Sequence, residues 1–249
     1  MMKVLVTGGS RGIGRAIAAR FAAEGASVAV TYHSNAEGAQ QTLQQGRSAG
    51  DEEDARRFEA RQLDVRDSEA VDEVVEEIIE AFDGLDVVVN NAGVMDNQAA
   101  AMMSDDAWNR VIDTNLTGAF YVSRAALTHF MLQRSGRIIN ISSIAQGGAS
   151  GQANYAASKA GLVGLTRSLA KEYGPRGITA NAVVPGLVNT EMIDDVDERL
   201  VEHWEQFCPA GRLASVQDVA DAVWYLSRPE ASFVNGAVLS VSGGLDGAP

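Results

Sequence analysis

The chain has 249 residues, of which 46% are hydrophobic and 21% charged, as in ordinary globular proteins. Its net charge of −13 argues against nucleic acid or an anionic membrane as the main partner, and no apolar run approaches the ~20 residues of a membrane-spanning helix. The single cysteine excludes an internal disulfide and favours a reducing compartment, so we expect a cytoplasmic protein. The three histidines are far apart in the sequence, so no metal site is predicted.

Short apolar runs alternate with longer amphipathic stretches along the whole chain. Strands are predicted at 3–8, 27–32, 85–90, 137–142, 178–185 and 237–243, with a weaker candidate at 60–65. Helices are predicted at 12–24, 36–46, 67–82, 105–133, 153–173 and 215–228. Because the strands are apolar on both faces, the pattern predicts one α/β domain, a Rossmann-type doubly wound parallel sheet of about seven strands with helices on both faces.

Local signals agree with these limits. Ser104 and Ser215 each precede a helical pattern, and Ser215 with Asp218 predicts a capping box. The stretch 46–57 is charged and lacks a period, which predicts a solvated loop.

The motif "TGGSRGIG" at 7–14 follows the first predicted strand and opens the first helix. Gly8 would allow the tight turn, Gly12 the approach of a phosphate to the backbone, and Gly14 close packing of the helix. The free N–H groups at the start of that helix attract a pyrophosphate. The loop therefore predicts a dinucleotide site, whose other candidate residues are Ser10, Arg11 and Ile13.

The spacing T-G-x-x-x-G-x-G, together with "NNAG" (90–93) and "YAASK" (155–159), resembles the short-chain dehydrogenase/reductase family. The resemblance covers essentially the whole chain, and the motifs fall in the family's order. It implies a nicotinamide cofactor and a set of contacts to it. The implied contacts, besides the glycine loop, are Asp64 and Val65 near the adenine, Asn91, Ala92 and Gly93 at the middle, and Pro185, Gly186, Val188 and Thr190 near the nicotinamide.

The end of the second strand indicates which cofactor is bound. It carries Tyr32 where relatives that prefer NAD have an aspartate, which would bind a free ribose 2′-hydroxyl and repel a 2′-phosphate. Arg11 is placed to pair with such a phosphate, and Ser34 and Asn35 could donate hydrogen bonds to it. The resemblance therefore implies NADPH, with NADH as the alternative.

Tyr155 and Lys159 are one helical turn apart and point the same way from one helix. The resemblance implies that Tyr155 is the general acid for a carbonyl oxygen. Lys159 and the positive charge of the oxidised nicotinamide would together lower the pKa of the phenol, and Lys159 would also bind the nicotinamide ribose. The resemblance also implies that Ser143 polarises the carbonyl and that Asn115 holds a water in a proton relay. Ser142 remains an alternative to Ser143, because the gap from Ser143 to Tyr155 is one residue shorter than the commonest family spacing.

Within the family, the segments 105–127 and 151–172 look most like the β-ketoacyl-acyl carrier protein reductases. This implies reduction of a 3-oxoacyl thioester, with Arg134 and Arg176 near the cleft docking an acidic carrier protein. The net charge opposes such docking unless a local basic patch exists. Three alanines at 99–101 leave a sugar or secondary alcohol dehydrogenase open, and a non-catalytic NADP(H) sensor is a third alternative.

The segment 191–212 is expected to form a substrate lid. Met192, Trp204 and Phe207 could line an apolar pocket there or could form the buried side of an amphipathic helix. The resemblance also implies a homotetramer, in which the 105–133 and 153–173 helices pair across one two-fold axis. The last helix and strand would pair across another.

Overall fold

A parallel sheet is the central feature of the computed structural model, which describes residues 1–47, 57–190 and 205–247. The strands are β1 Lys3–Val6, β2 Ser27–Tyr32, β3 Phe58–Gln62, β4 Val87–Asn90, β5 Gly136–Ile141, β6 Ile178–Pro185, β7 Val188–Asn189, β8 Ala214–Ser215 and β9 Val238–Val241. Within the described residues, seven strands pair in parallel in the order β3-β2-β1-β4-β5-β6-β9, and β7 pairs with β8. The predicted fold class is confirmed.

Helices connect the strands and cover both faces of the sheet. They are α1 Gly12–Ala23, α2 Ala36–Arg47, α3 Ser68–Phe82, α4 Asp105–Ile112, α5 Gly118–Gln133, α6 Ala153–Tyr173 and α7 Val216–Ser227. The prediction of one unbroken helix over 105–133 is wrong in one respect, because a π-helical turn, Asp113–Thr117, separates α4 from α5. Most of the predicted loop at 46–57 lies outside the described residues.

The predicted helix caps are confirmed. The Ser104 side chain accepts a hydrogen bond from the Ala107 N–H at the start of α4. Ser215 and Asp218 form a reciprocal capping box at the start of α7.

Two apolar layers enclose the sheet, because successive side chains of each strand point to opposite faces. On one face, Val4 and Val6 of β1 pack against α1, α2 and α7. On the other face, Leu5 of the same strand packs against α3, α5 and α6. This double burial explains why the central strands are continuous runs of valine and isoleucine.

The strand order reverses beside β1, and this reversal locates the site. The chain runs outward from β1 to β2 and β3, then returns to place β4 on the other side of β1. In doubly wound sheets the crevice at the carboxyl ends of the two strands that flank such a reversal binds ligands. Gly8 follows β1, Asn91 follows β4, and Ser143 follows β5, so all three lie at this edge.

Candidate active site

The glycine loop between β1 and α1 packs too closely for side chains at three of its four glycines. A Cβ on Gly9 would lie 2.6 Å from the Cβ of Val30. Gly8 has a φ of +65°, and a Cβ there would lie 2.9 Å from the Cα of Ala92. A Cβ on Gly14 would lie 2.3 Å from the carbonyl oxygen of Gly8. The first turn of α1 is therefore held directly against the end of β1 and the segment after β4.

The same loop is open at Gly12. This residue has a φ of +53°, and a Cβ there would meet no described atom nearer than Cγ2 of Thr190, at 3.9 Å. Arg11 is the N-cap residue of α1, and its side chain makes no capping hydrogen bond. The backbone N–H groups of the first turn, including that of Ile13, are therefore not capped by Arg11. An open backbone beside an uncapped helix N-terminus fits a phosphate, and the residues present therefore fit a dinucleotide.

Thr7 and Asn91 fix the loop to β4. The Asn91 Nδ2 donates to the carbonyl oxygens of Thr7 and Gly8, at 2.9 and 3.0 Å. The Thr7 Oγ1 accepts the backbone N–H groups of Asn91 and Ala92, each at 3.0 Å. The amide of Asn91 thus positions the loop. Sequence reasoning missed Thr7, although a threonine that ends a buried apolar strand is itself a signal of a polar role.

The residues expected near the adenosine ribose have mixed roles in the structure. Tyr32 is half-buried and packs against the core. The Asn35 Oδ1 accepts the N–H of Gly38, at 2.9 Å, so this side chain is engaged within the first turn of α2, where only its nitrogen is left to donate. Ser34 and Arg11 are exposed.

Asp64 and Val65 at the expected adenine end are both engaged by the protein. The Asp64 carboxylate receives Nε and Nη2 of Arg66 at 2.9 and 2.6 Å, and this pairing lowers the pKa of Asp64. Val65 is buried, and a Cβ on Gly118 would lie 2.6 Å from its Cγ2. The side chain of Val65 therefore serves the core.

The segment after β6 returns the chain to the glycine loop. Pro185 ends β6, and the Gly186 N–H donates to the Val241 carbonyl at 3.0 Å. Val188 pairs with Ala214 in the short β7–β8 ladder. Thr190, two residues further on, faces Gly12 as described above.

Tyr155 and Lys159 lie one turn apart on α6, and the ammonium lies under the phenol ring. The Lys159 Nζ is 5.5 Å from the centroid of the Tyr155 ring and donates to the carbonyl oxygen of Ile141 at 2.8 Å. Burial lowers the pKa of Lys159 from 10.5 to about 8. The amine therefore stays mostly protonated at neutral pH.

The two candidate serines separate clearly. Ser143 is close enough to Tyr155 to lower the pKa of the phenol, and its Oγ accepts the Ala145 N–H at 3.2 Å, whereas the buried Ser142 Oγ donates to the backbone carbonyl of Lys159 at 2.8 Å. Burial raises the pKa of Tyr155, and the neighbouring Ser143 side chain lowers it by less. The chain alone does not lower the pKa of the phenol, because burial raises it by more than Ser143 lowers it. The expected lowering depends on the charge of the oxidised nicotinamide as well as on Lys159.

Asn115 lies in the π-helical turn and is almost fully buried. Its Oδ1 accepts the Val94 N–H at 2.8 Å, and its Nδ2 donates to the Val94 carbonyl at 3.0 Å and to Ser158 Oγ at 3.1 Å. A Cβ on Gly93 would lie 3.3 Å from Asn115 Oδ1 and 3.6 Å from Lys159 Nζ. The absence of a side chain at Gly93 therefore leaves open the space where these two groups approach each other.

Arg134 and Arg176 are not near this cleft within one chain. Arg134 follows α5 directly before β5, and Arg176 directly precedes β6, so both lie at the amino edge of the sheet. Tyr155 is near the start of α6, whose 21 residues span about 30 Å. Within a single chain these arginines therefore do not border the cleft, because β5, β6 and α6 place them at the opposite edge, and docking through them stays a prediction.

Several other predicted residues lie partly or wholly outside the described part of the chain. Met192 and Trp204 lie outside them, as does most of the expected lid, while Phe207 is described and exposed. Within the described part, no group of three or more His, Cys, Asp or Glu side chains could hold a metal ion. No helix in that part is both long and apolar enough to span a membrane.

Fold and site together define a class of protein. An uncapped glycine loop opens beside a buried tyrosine–lysine pair at the reversal point of a doubly wound sheet, as expected of an oxidoreductase that uses a nicotinamide dinucleotide. The comparisons with known proteins agree. The family model described as "Enoyl-(Acyl carrier protein) reductase" matches residues 8–246.

The relatives of this chain are named as reductases. The chain is 40% identical over 242 residues to the 3-oxoacyl-[acyl-carrier-protein] reductase FabG of Staphylococcus aureus (strain Mu50), covering 97% of this chain and 96% of the relative. The Escherichia coli (strain K12) protein of the same name is also 40% identical, with the same coverage. The crystal structure of a protein named as a short-chain alcohol dehydrogenase from Sinorhizobium meliloti 1021 superposes with a TM-score of 0.93 at 33% identity, covering 100% of this chain and 97% of that one. The chain belongs to the short-chain dehydrogenase/reductase family, and it is an oxidoreductase with a nicotinamide cofactor.

Proposed function

We propose that the protein uses NADPH to reduce a 3-oxoacyl thioester to the 3-hydroxyacyl thioester. The observation that carries the proposal is the Tyr155–Lys159 pair at the carboxyl edge of the sheet, with the buried ammonium 5.5 Å from the centroid of the phenol ring and Ser143 beside that phenol. The names of the relatives, 3-oxoacyl-[acyl-carrier-protein] reductases, support the thioester as substrate. Arg11, exposed at the glycine loop, and the absence of an acidic residue at Tyr32 support NADPH.

The side chains divide the work of activating a carbonyl. A bound nicotinamide would supply hydride to the carbonyl carbon. Ser143 donates a hydrogen bond to the carbonyl oxygen and Tyr155 transfers its phenolic proton to it, which neutralises the charge that develops there. A phenol whose pKa is raised by burial holds its proton until this step. Lys159 stabilises the resulting phenolate from one turn away, since its ammonium lies under the ring.

Asn115 and Lys159 support the return of the proton. The Asn115 side chain holds Val94 in place through two hydrogen bonds, and its third bond reaches Ser158 on α6, next to Lys159. One N–H of the Lys159 ammonium donates a hydrogen bond to the Ile141 carbonyl. Its remaining N–H groups are positioned beside Gly93, where the ribose of the cofactor or a relay water would bind.

The test is NADPH oxidation with an acetoacetyl thioester, run beside NADH and beside Tyr155→Phe. We expect turnover with NADPH that falls about 10²–10⁴-fold in the variant, because the general acid is lost, while NADPH binding is kept. Tyr173→Phe is the matched control, since it removes a phenol from the other end of α6 and should leave turnover unchanged. NADPH binding without turnover would overturn the thioester assignment.

Two further substrate classes belong in the same assay. A secondary alcohol is one such substrate, because the Sinorhizobium meliloti protein, whose structure matches the whole chain, is named as a short-chain alcohol dehydrogenase. An enoyl thioester is included because the family model is described as an enoyl reductase. A non-catalytic NADP(H) sensor is the least supported alternative, because sensing needs neither Ser143 nor Tyr155.

A homotetramer is part of the proposal. Large apolar side chains are exposed on both expected interfaces: Trp108 and Phe120 on the 105–133 segment, and Tyr225 on the last helix. Docking of an acidic carrier protein through Arg134 and Arg176 and a cytoplasmic location stay predictions. Because these arginines lie at the far edge of their own chain, docking near a cleft would require the arginines of another subunit.

A further inference from the structure

Arg15 is a cation in an unfavourable place, the first turn of α1, where the helix dipole is positive. Among the described residues it has no carboxylate partner, in contrast to Arg20 on the same helix, which pairs with Glu24 and Asp221. The Arg15 Nη2 instead donates to the Ser10 carbonyl at 2.6 Å. A guanidinium placed here without a counter-ion needs a reason, and the bond to Ser10 suggests that the reason is the glycine loop.

The other contacts of Arg15 are on α2. Its Nε donates to Thr42 Oγ1 at 3.3 Å, and its Nη2 lies 3.4 Å from Gln41 Oε1. The Thr42 hydroxyl, itself buried, is 2.9 Å from the Gly9 carbonyl. Arg15 and Thr42 therefore join the turn at 9–11 to the first two turns of α2.

The joint between loop and helix is tight. A Cβ on Gly38 would lie 2.5 Å from the carbonyl oxygen of Ser10 and 2.5 Å from Nδ2 of Asn35. A glycine at position 38 is thus required for α2 to lie so close to the loop. The hydrogen bonds of Asn35 and of the Arg15 guanidinium then hold the loop and α2 in a fixed relative position. The sequence signal for this contact is a glycine inside an otherwise helical pattern.

The contact between the glycine loop and α2 fixes the backbone position from which the Arg11 side chain extends. Arg11 is exposed, follows Ser10 directly, and has no side-chain partner in the described part of the chain. Two arginines that have no carboxylate partner among the described residues thus lie four residues apart at the glycine loop, in a chain of net charge −13, and Arg15 contacts the start of α2. That arrangement favours a dianionic phosphate monoester over a neutral hydroxyl.

We propose that Arg15 is a positioning residue that holds the Ser10–Arg11 turn on α2 and thereby makes the adenosine end of the site selective for a 2′-phosphate. The inference rests on the proposed preference for NADPH. Arg15 acts through the Ser10 carbonyl and the start of α2, and Arg11 makes the contact with the phosphate.

Calorimetric binding of adenosine 2′,5′-bisphosphate and adenosine 5′-monophosphate to the whole protein tests this without any turnover. We expect Arg15→Gln to reduce the preference for the bisphosphate about tenfold by weakening that ligand alone. Arg15→Lys should lose most of the preference as well, because an ammonium keeps the charge but cannot bridge Ser10, Gln41 and Thr42 together. Arg20→Gln, which removes a charge from the same helix, should change neither affinity.

A double-variant cycle with Arg11→Gln separates positioning from charge. If Arg15 acts through Arg11, adding Arg15→Gln to Arg11→Gln should lower the bisphosphate affinity by less than about twofold more. An equal loss for both ligands in Arg15→Gln would show a structural role only and would overturn the inference. Full preference retained in Arg15→Lys would overturn it too, since charge alone would then suffice.

The wild-type protein distinguishes this inference from the proposed function. A wild-type preference for the monophosphate would overturn the assignment of NADPH, and this inference with it. A wild-type preference for the bisphosphate that Arg15→Gln leaves intact would overturn only the role of Arg15. Thermal unfolding of each variant without ligand reports whether the fold has survived.

Discussion

Lys159 is expected to make the protein less stable than it would be without the charge. Its pKa falls from 10.5 to about 8 on burial, and a shift of this size corresponds to about 3 kcal/mol at neutral pH. Replacement by methionine keeps the aliphatic volume and removes the charge. It also removes the hydrogen bond to the Ile141 carbonyl, which costs about 1 kcal/mol. We therefore expect Lys159→Met to raise the free energy of unfolding by about 2 kcal/mol at pH 7.

The stabilisation expected from Lys159→Met should decrease as the pH rises. Below pH 8 the amine is protonated in both the folded and the unfolded chain, so the full cost of burying the charge is present. Between pH 8 and 10.5 the folded chain loses the proton first, and the cost shrinks. At pH 9.5 it should be about 1 kcal/mol, which roughly cancels the lost hydrogen bond.

Urea unfolding of the cofactor-free protein at pH 7 and pH 9.5 measures both effects, with both proteins at one concentration because assembly adds to apparent stability. Ser142→Ala is a control at the same place, since it removes a bond to the Lys159 carbonyl without removing a charge. A variant no more stable than the wild type at pH 7 would refute the reasoning. So would a gain that is equally large at pH 9.5.

Three further predictions concern the loop, the serines and a helix cap. Gly14→Ala should cost about 3 kcal/mol and abolish nucleotide binding, because its Cβ would lie 2.3 Å from the Gly8 oxygen; unchanged thermal unfolding would contradict this packing. Ser143→Ala should lower turnover about 10²-fold with little change in stability, whereas Ser142→Ala should lose about 1 kcal/mol of stability and much less turnover; the reverse pattern in kinetics and unfolding would reassign the serines. Ser215→Ala should cost about 1 kcal/mol, or a Tm decrease of about 2–4 °C, and an unchanged Tm in calorimetry would show that the capping box contributes nothing.

The parts of the fold that depend on local pattern could be predicted from the sequence. Runs of valine predict the central strands, and Ser215 predicts the start of α7. Both predictions succeed because burial on two faces and helix capping depend on residues that are adjacent in the sequence. The third strand was placed at 60–65 but lies at Phe58–Gln62. It is the edge strand β3, only partly buried, so its apolar period is weak.

The features that depend on distant contacts could not be predicted. The break at Asp113–Thr117 leaves no trace in the apolar period, because the bonds of Asn115 to Val94 and Ser158 join three separate segments.

At the site, motif spacing brought the tyrosine, the lysine and the serines to one place but could not weigh burial against charge. Burial raises the pKa of Tyr155 in the chain alone, whereas the predicted decrease also depends on the charge of the oxidised nicotinamide. The positions of Arg134 and Arg176 also follow from the length and direction of α6, which a motif alone does not reveal.

The π-helical turn has a consequence for which insertions and deletions this chain can accept. A π turn holds one residue more than a regular helical path of the same length. Deleting one residue between Asp113 and Thr117 would therefore restore the regular pitch and leave the following residues of α5 facing about as they do now. Val122 and Phe130, both fully buried, would then stay against the sheet. What such a deletion would disturb is the placement of Asn115, whose bonds to Val94 and Ser158 depend on the π turn, so it should harm the site more than the fold.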